Sequence, residues 1–125
     1  MVNMIKSPRS PYHSPNTRII LITPPPVNTF QRRADLESRQ PPQELDRDFD
    51  VTKTYAEGVR EVARSECVAL VDAWSALWEA AYQDEKMLRN FLKDGLHLNF
   101  EGYKVSSSNK YYNLGYFLIC HANVM

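Results

Sequence analysis

"RIILITPPPVN", Arg18 to Asn28, is the stretch on which the fold turns. Ile19, Ile20, Leu21 and Ile22 stand in an unbroken apolar row, and three prolines, Pro24 to Pro26, close it. A short apolar run with such an ending reads as a strand buried on both faces, the habit of a central strand in a parallel sheet. The prolines forbid continuation as helix or as paired strand, so the chain must leave over the carboxyl end of the sheet. A second run of the same kind, CVALV at Cys67 to Val71, ends at Asp72.

The segments between and around these runs complete the pattern. VNMIKS near the amino terminus reads as a short helix, followed by a Pro/Ser-rich connector. Residues 28 to 46 are polar, contain Pro41 and Pro42, and read as a long loop of the kind that is either functional or disordered. From Arg47 to Glu66 the period becomes helical. Val51, Tyr55, Val59, Val62 and Ala63 line one face. After the second run, AWSALWEAAY sets Trp74, Leu77, Trp78 and Ala81 on one side as core residues. Asp72 and Asp84 are placed to cap the helices that follow them, with Asp48 or Asp50 near the start of the long one. Alternation of strand and helix predicts an α/β fold of parallel βαβ units with helices on both faces.

Composition narrows the function classes. Fifteen basic and fifteen acidic residues leave no net charge, and the basic ones are scattered. That balance gives no electrostatic reason to expect nucleic acid or an anionic membrane as partner. The first residues lack the apolar core of a secretory signal, and no apolar run is long enough to cross a bilayer. Two cysteines, Cys67 and Cys120, without a CxxC pair, predict neither a disulfide framework nor a zinc knuckle. A reducing, cytoplasmic location is the resulting expectation.

The chemistry concentrates in "LKDGLHLNFEGY", Leu92 to Tyr103. Histidine accepts and returns protons near neutrality, and a carboxylate on one ring nitrogen fixes its tautomer and leaves the other nitrogen free. Asp94 and His97 can meet directly if the segment curls, and Gly95 supplies the backbone freedom for a curl. The residues alone leave two plainer readings open: Asp94 as a turn cap with His97 in a polar pocket, or part of a metal site. One acid and one imidazole are too few ligands for the latter.

Taken together, DGLHLNFEGY, the upstream VALVDAWSALWE and the distant RIILITPPPV resemble one family. From Met1 to Val105 the chain is similar to the carboxyl-terminal half of an SGNH (GDSL-type) esterase of the isoamyl-acetate-hydrolysing branch, in a fungal-looking version. The resemblance implies a three-layer α/β/α flavodoxin-like sandwich, with its site at the carboxyl ends of parallel strands. It implies a Ser–His–Asp triad in which Asp94 orients the ring and His97 carries the serine's proton to the leaving alcohol. It further implies a small, short-chain ester such as an acetate as substrate, and no metal or organic cofactor. Leu96 and Leu98 would point inward, Asn99 would cap the next helix, and Pro24, Pro25 and Pro26 would wall the acyl or alcohol pocket.

Two features depart from that family. No Gly-Asp-Ser nucleophile motif and no Gly-x-Asn-Asp oxyanion motif occurs among the 125 residues. Ser38, Ser65 and Ser75 do not sit at a strand-to-helix elbow. The chain as written is therefore expected to be inactive by itself. Residues 106 to 125, beginning SSSNKYYN, lose the family's helical periodicity and read as a divergent tail, such as an unspliced intron or a frameshift would produce, or as a lineage-specific helix. The rival expectation is a non-catalytic truncated paralogue that binds or dimerises, self-associating through exposed sheet edges.

Overall fold

Ile20 pairs with Ala69, Leu21 with Leu70 and Ile22 with Val71 in a parallel ladder, and Thr23 extends it by donating its N–H to Val71 O at 3.0 Å. The computed structural model describes residues 1–107 together with 112 and 113. Along the chain these form α1 (Val2–Lys6), β1 (Ile20–Ile22), α2 (Thr29–Glu37), α3 (Phe49–Ser65), β2 (Ala69–Val71), α4 (Ala73–Ala80), a 3-10 helix (Glu85–Asn90), α5 (Phe100–Ser106) and β3 (Tyr112–Asn113). The parallel pair requires a crossover, which α2 and α3 supply. β3 adds to the other edge of β2 in antiparallel sense, giving the order β1-β2-β3. The fold is α/β, with a small parallel sheet. Apart from Tyr112 and Asn113, the tail assigned to residues 106 to 125 lies outside the described residues beyond Ser107.

Capping follows the sequence closely. Asp48 accepts the Val51 N–H at 2.9 Å, Asp72 that of Ser75 at 3.2 Å, Asp84 that of Lys86 at 2.9 Å and Asn99 that of Gly102 at 2.9 Å. Each satisfies a helix-terminal donor that would otherwise lack a partner. The polar excursion is more ordered than its composition predicts, since α2 occupies residues 29 to 37. Its signal is the Asn28-x-x-Gln31 spacing, a cap residue followed three positions later by glutamine. Asn28 Oδ1 accepts the Gln31 N–H at 3.1 Å.

The core divides into two clusters. Val2, Ala63, Val68 and Leu70, with Ile19, Leu21 and Val59, join α1 and α3 to one face of the sheet. Leu77, Ala81, Leu88 and Leu92, with Phe49, Trp78, Phe91, Leu98 and Val105, gather α4, α5 and the 3-10 helix. Trp74 is buried as expected, and the rings of Phe49, Trp74 and Trp78 meet at centroid separations of 4.7 to 5.5 Å.

Two expectations are corrected, and one apolar stripe proves divided. β1 is not buried on both faces: Ile20 and Ile22 are 57% and 62% exposed, because the face they share has no covering layer among the described residues. The helix α3 buries Thr52, Ala56 and Ala63 and leaves Val51, Tyr55 and Val62 exposed. Val59 and Ala63 of the same stripe pack into the first cluster, so the stripe is divided, and Tyr55 and Val62 border a groove of about 510 Å³ that Leu21 and Ile22 also line. Finally, Cys67 is disulfide-bonded. Spacing along the chain does not reveal which thiols a fold brings within bonding distance.

Truncating a filled position and an open one should separate these faces. Leu77→Ala is expected to cost about 2–5 kcal/mol, whereas Ile22→Thr should stay within about 0.5 kcal/mol. Urea midpoints of the two variants measure the difference, and equal losses would place Ile22 under cover.

Candidate active site

The segment from Phe91 to Asn99 folds into a narrow excursion. Leu92 and Leu98 form an antiparallel bridge, Lys93 donates its N–H to His97 O at 2.8 Å, and Asn99 donates its N–H to Phe91 O at 3.0 Å. The buried Leu92 and the partly buried Leu98 root its base in the second core cluster. Asn99 closes it by donating Nδ2 to Asn90 O at 2.9 Å while capping α5.

Gly95 sits at the tip with φ +83, in the left-handed region. Side chains are disfavoured there on backbone grounds alone. A Cβ at this position would also lie 2.4 Å from Arg32 N and 2.7 Å from Asn28 O. The tip is thus pressed against the first turn of α2, and Asn28 donates its N–H to Gly95 O at 2.9 Å. Gln31 of the same turn donates Nε2 to Leu92 O at 3.3 Å. The tip and the first arm of the excursion are held by one helix end.

These constraints bring Asp94 and His97 together. Asp94 Oδ1 accepts the N–H of Leu96 at 3.1 Å and that of His97 at 2.8 Å; Oδ2 lies 2.8 Å from His97 Nδ1. Burial opposes the charge on this carboxylate. The N–H and ring of His97 and the N–H of Leu96 outweigh it and hold the pKa at about 2. An ionised carboxylate can only accept, so the proton of the shared bond belongs to Nδ1. In the neutral ring this leaves the lone pair on Nε2. His97 is 68% exposed, and among the described residues none bonds to Nε2.

A guanidinium stands behind the acid, and sequence reading missed it. Arg32, from α2, is 4% exposed and donates Nη1 to Asp94 Oδ2 at 3.2 Å. Its Nε and Nη2 form a fork with Asp46 at 2.9 and 2.8 Å, and Asp35 lies 3.5 Å from Nη1. The bond to Asp46 raises the Arg32 pKa further, and the same pair lowers that of Asp46. Nothing local in the sequence links Arg32 to Asp94. Nor does any spacing set Arg32 apart from Arg33 and Arg39 of the same excursion.

The remaining candidates fall elsewhere. Pro26 is fully buried, while Pro24 and Pro25 keep partial exposure; all three lead from β1 to Asn28. Ser75 donates Oγ to Asp72 Oδ2 at 2.8 Å and accepts from Arg60 Nη2 at 3.0 Å, which fits a structural hydroxyl. Asp72 accepts from Arg60 at 2.9 and 3.1 Å and from Thr23 Oγ1 at 3.1 Å, tying both strand ends to α3. Burial opposes its charge as well, and Arg60 and Ser75 overcome the effect and lower its pKa. Among the described residues no group of three or more His, Cys, Asp or Glu could hold a metal ion. No helix there is long and apolar enough to cross a membrane.

With this geometry in view, a relative can be weighed. Over 92 residues, 71% of its length, the chain is 34% identical to a GDSL esterase/lipase from Arabidopsis thaliana. Those residues make up 36% of that protein, so the chain spans about a third of the curated relative it matches. No family model matches the chain, and no solved structure matches it. The similarity supports a GDSL-type hydrolase at the level of the family. It does not reach a branch within it.

Two outcomes follow from the geometry. Asp94 has a depressed pKa, so its contribution is present above the unfolded value near ~3.9 and is lost as pH falls through about 2. Acid unfolding followed by circular dichroism should show roughly 2 kcal/mol of that loss between about pH 4 and pH 2, and a shallower slope in Asp94→Asn. Gly95→Ala should cost roughly 2–4 kcal/mol by urea denaturation, through its strained φ and the collision with α2.

Proposed function

We propose that this chain carries the acid and base of a serine ester hydrolase of the GDSL type, with Asp94 and His97 in those roles. The observation that carries the proposal is the 2.8 Å contact between His97 Nδ1 and Asp94 Oδ2, with Nε2 left facing outward. Nε2 would take the proton of a serine hydroxyl as it attacks the ester carbonyl. Asp94 would stabilise the imidazolium that results, and the ring would then return the proton to the departing alcohol. Water repeats the sequence on the acyl-enzyme. Small short-chain esters, acetates among them, are the proposed substrates, and the chemistry calls for no metal or organic cofactor. The serine and the oxyanion donors would come from polypeptide other than these 125 residues, which contain neither motif.

Hydrolysis of p-nitrophenyl acetate tests the proposal in two preparations: the 125-residue chain and the product of the full native transcript. The chain alone should show no turnover that depends on His97. If the transcript encodes a Gly-Asp-Ser segment in frame, its product should turn over the ester, and His97→Ala or Asp94→Asn should lower kcat/KM by roughly 10⁴-fold or more. Turnover unaffected by either substitution would refute the assignment.

One observation favours a second reading. The outer edge of β1 has no neighbouring strand among the described residues, and Ile20, Ile22, Tyr55 and Val62 stand exposed beside it. On that reading the chain is a non-catalytic module in which a second copy covers this edge. Sedimentation velocity would then show a dimer that Ile22→Lys with Tyr55→Lys converts to monomer. A monomer before substitution would dismiss it.

A further inference from the structure

We infer that Arg32 is a positioning residue for the Asp94–His97 dyad, locked in place by Asp46 so that the acid's second oxygen stays aimed at the imidazole. The inference rests on the reading of that dyad as acid and base.

The two oxygens of Asp94 are held differently. Oδ1 is fixed by two backbone N–H groups of its own loop, those of Leu96 and His97. Oδ2, the oxygen that meets the ring, has one further partner, and it comes from another element: Arg32 Nη1 at 3.2 Å. Rotation of the carboxylate about its Cβ–Cγ bond would carry Oδ2 away from Nδ1. A second donor on Oδ2 resists that rotation provided the donor cannot follow. Arg32 cannot follow, because Nε and Nη2 are engaged by Asp46 at 2.9 and 2.8 Å. Its backbone N is also packed against Gly95. Only a guanidinium can hold one carboxylate with a fork and reach a second with its remaining nitrogen.

Charge supports the same role. Arg32 and Arg39 face three carboxylates, Asp35, Asp46 and Asp94, through contacts of 2.8 to 3.5 Å. Arg47 adds a further positive charge beside Asp46, while Asp94 has Arg32 as its one guanidinium contact among the described residues and shares that oxygen with the imidazole. A proton accepted by His97 arises next to a carboxylate whose direction Arg32 has already fixed. A passive structural ion pair would hold α2 in place without affecting which ring nitrogen carries the proton.

The tautomer of His97 is therefore the quantity to measure, by ¹⁵N spectra of the imidazole nitrogens in the full chain, assigned by their loss in His97→Ala. At neutral pH the unmodified chain should show Nδ1 protonated and Nε2 bare. Arg32→Gln combined with Asp46→Asn removes one charge of each sign. It should shift the ring to the Nε2–H form that free imidazoles of histidine favour in water, with the Nδ1–H form no longer the majority. Arg32→Lys keeps the charge but not the fork and should give the same shift at smaller amplitude. It also supplies the decision if the double variant does not fold. Retention of the Nδ1–H form in a folded variant overturns the role of Arg32 and leaves the dyad intact. An unmodified chain already in the Nε2–H form tells instead against the dyad itself.

Discussion

The carboxylate of Asp94 is the point on which the site depends. It accepts from two backbone N–H groups, faces an imidazole and meets a guanidinium, and these partners come from its own loop and from a helix 62 residues away in sequence. Through Arg32 it is tied to α2, through Asn28 to the strand end that launches α2, and through its own loop to Leu92 and Leu98 in the core. The sheet thus sets the position of α2, and α2 sets the direction of the acid. A carboxylate in water would rotate freely and hold a histidine ring only in passing. Here its lone pairs are committed by the fold itself, so the ring meets a carboxylate of fixed direction.

Such an arrangement adds less to stability than its number of contacts suggests. A guanidinium that is 4% exposed has lost most of its hydration, and attraction to carboxylates offsets that loss without clearly exceeding it. An apolar side chain of the same volume could serve the packing of α2 equally well. What the ion cluster provides is direction: a fork on Asp46, a single contact on Asp94, and a glycine at the tip of the loop because any side chain would collide with the helix carrying the arginine. The glycine and the arginine are two sides of one contact.

The parts of this site that were legible in the sequence are the local ones. Asp94 and His97 are three residues apart beside a glycine, and the caps at Asp72, Asp84 and Asn99 need only their own following turn. Arg32 lies 62 residues from Asp94, and no periodicity or spacing connects them. The helix that carries it was hidden because α2 is mostly polar, so its identity rests on a cap rather than on an apolar stripe. The α/β pattern was legible from two apolar runs and the helix between them. Burial was not. Periodicity tells which residues of α3 share a face, and Val51, Tyr55 and Val62 do, but it cannot tell whether anything covers that face.

That uncovered face bears on how the site could be completed. Parallel strands in one sheet present their carboxyl ends at the same edge, and in open α/β sheets this edge is where ligands bind. The carboxyl end of β1 leads through Pro24 to Asn28, whose N–H holds the tip of the Asp94–His97 loop. A strand added in parallel to the open side of β1 would extend the sheet beyond Ile20 and Ile22 and lie beside the groove lined by Tyr55 and Val62. Its carboxyl end would emerge on the same side of the sheet as His97. A nucleophile carried at that end would approach the exposed Nε2, whereas a strand added in the opposite sense would deliver its amino end there. The direction of whatever strand pairs with β1 therefore decides which of its ends lies beside His97.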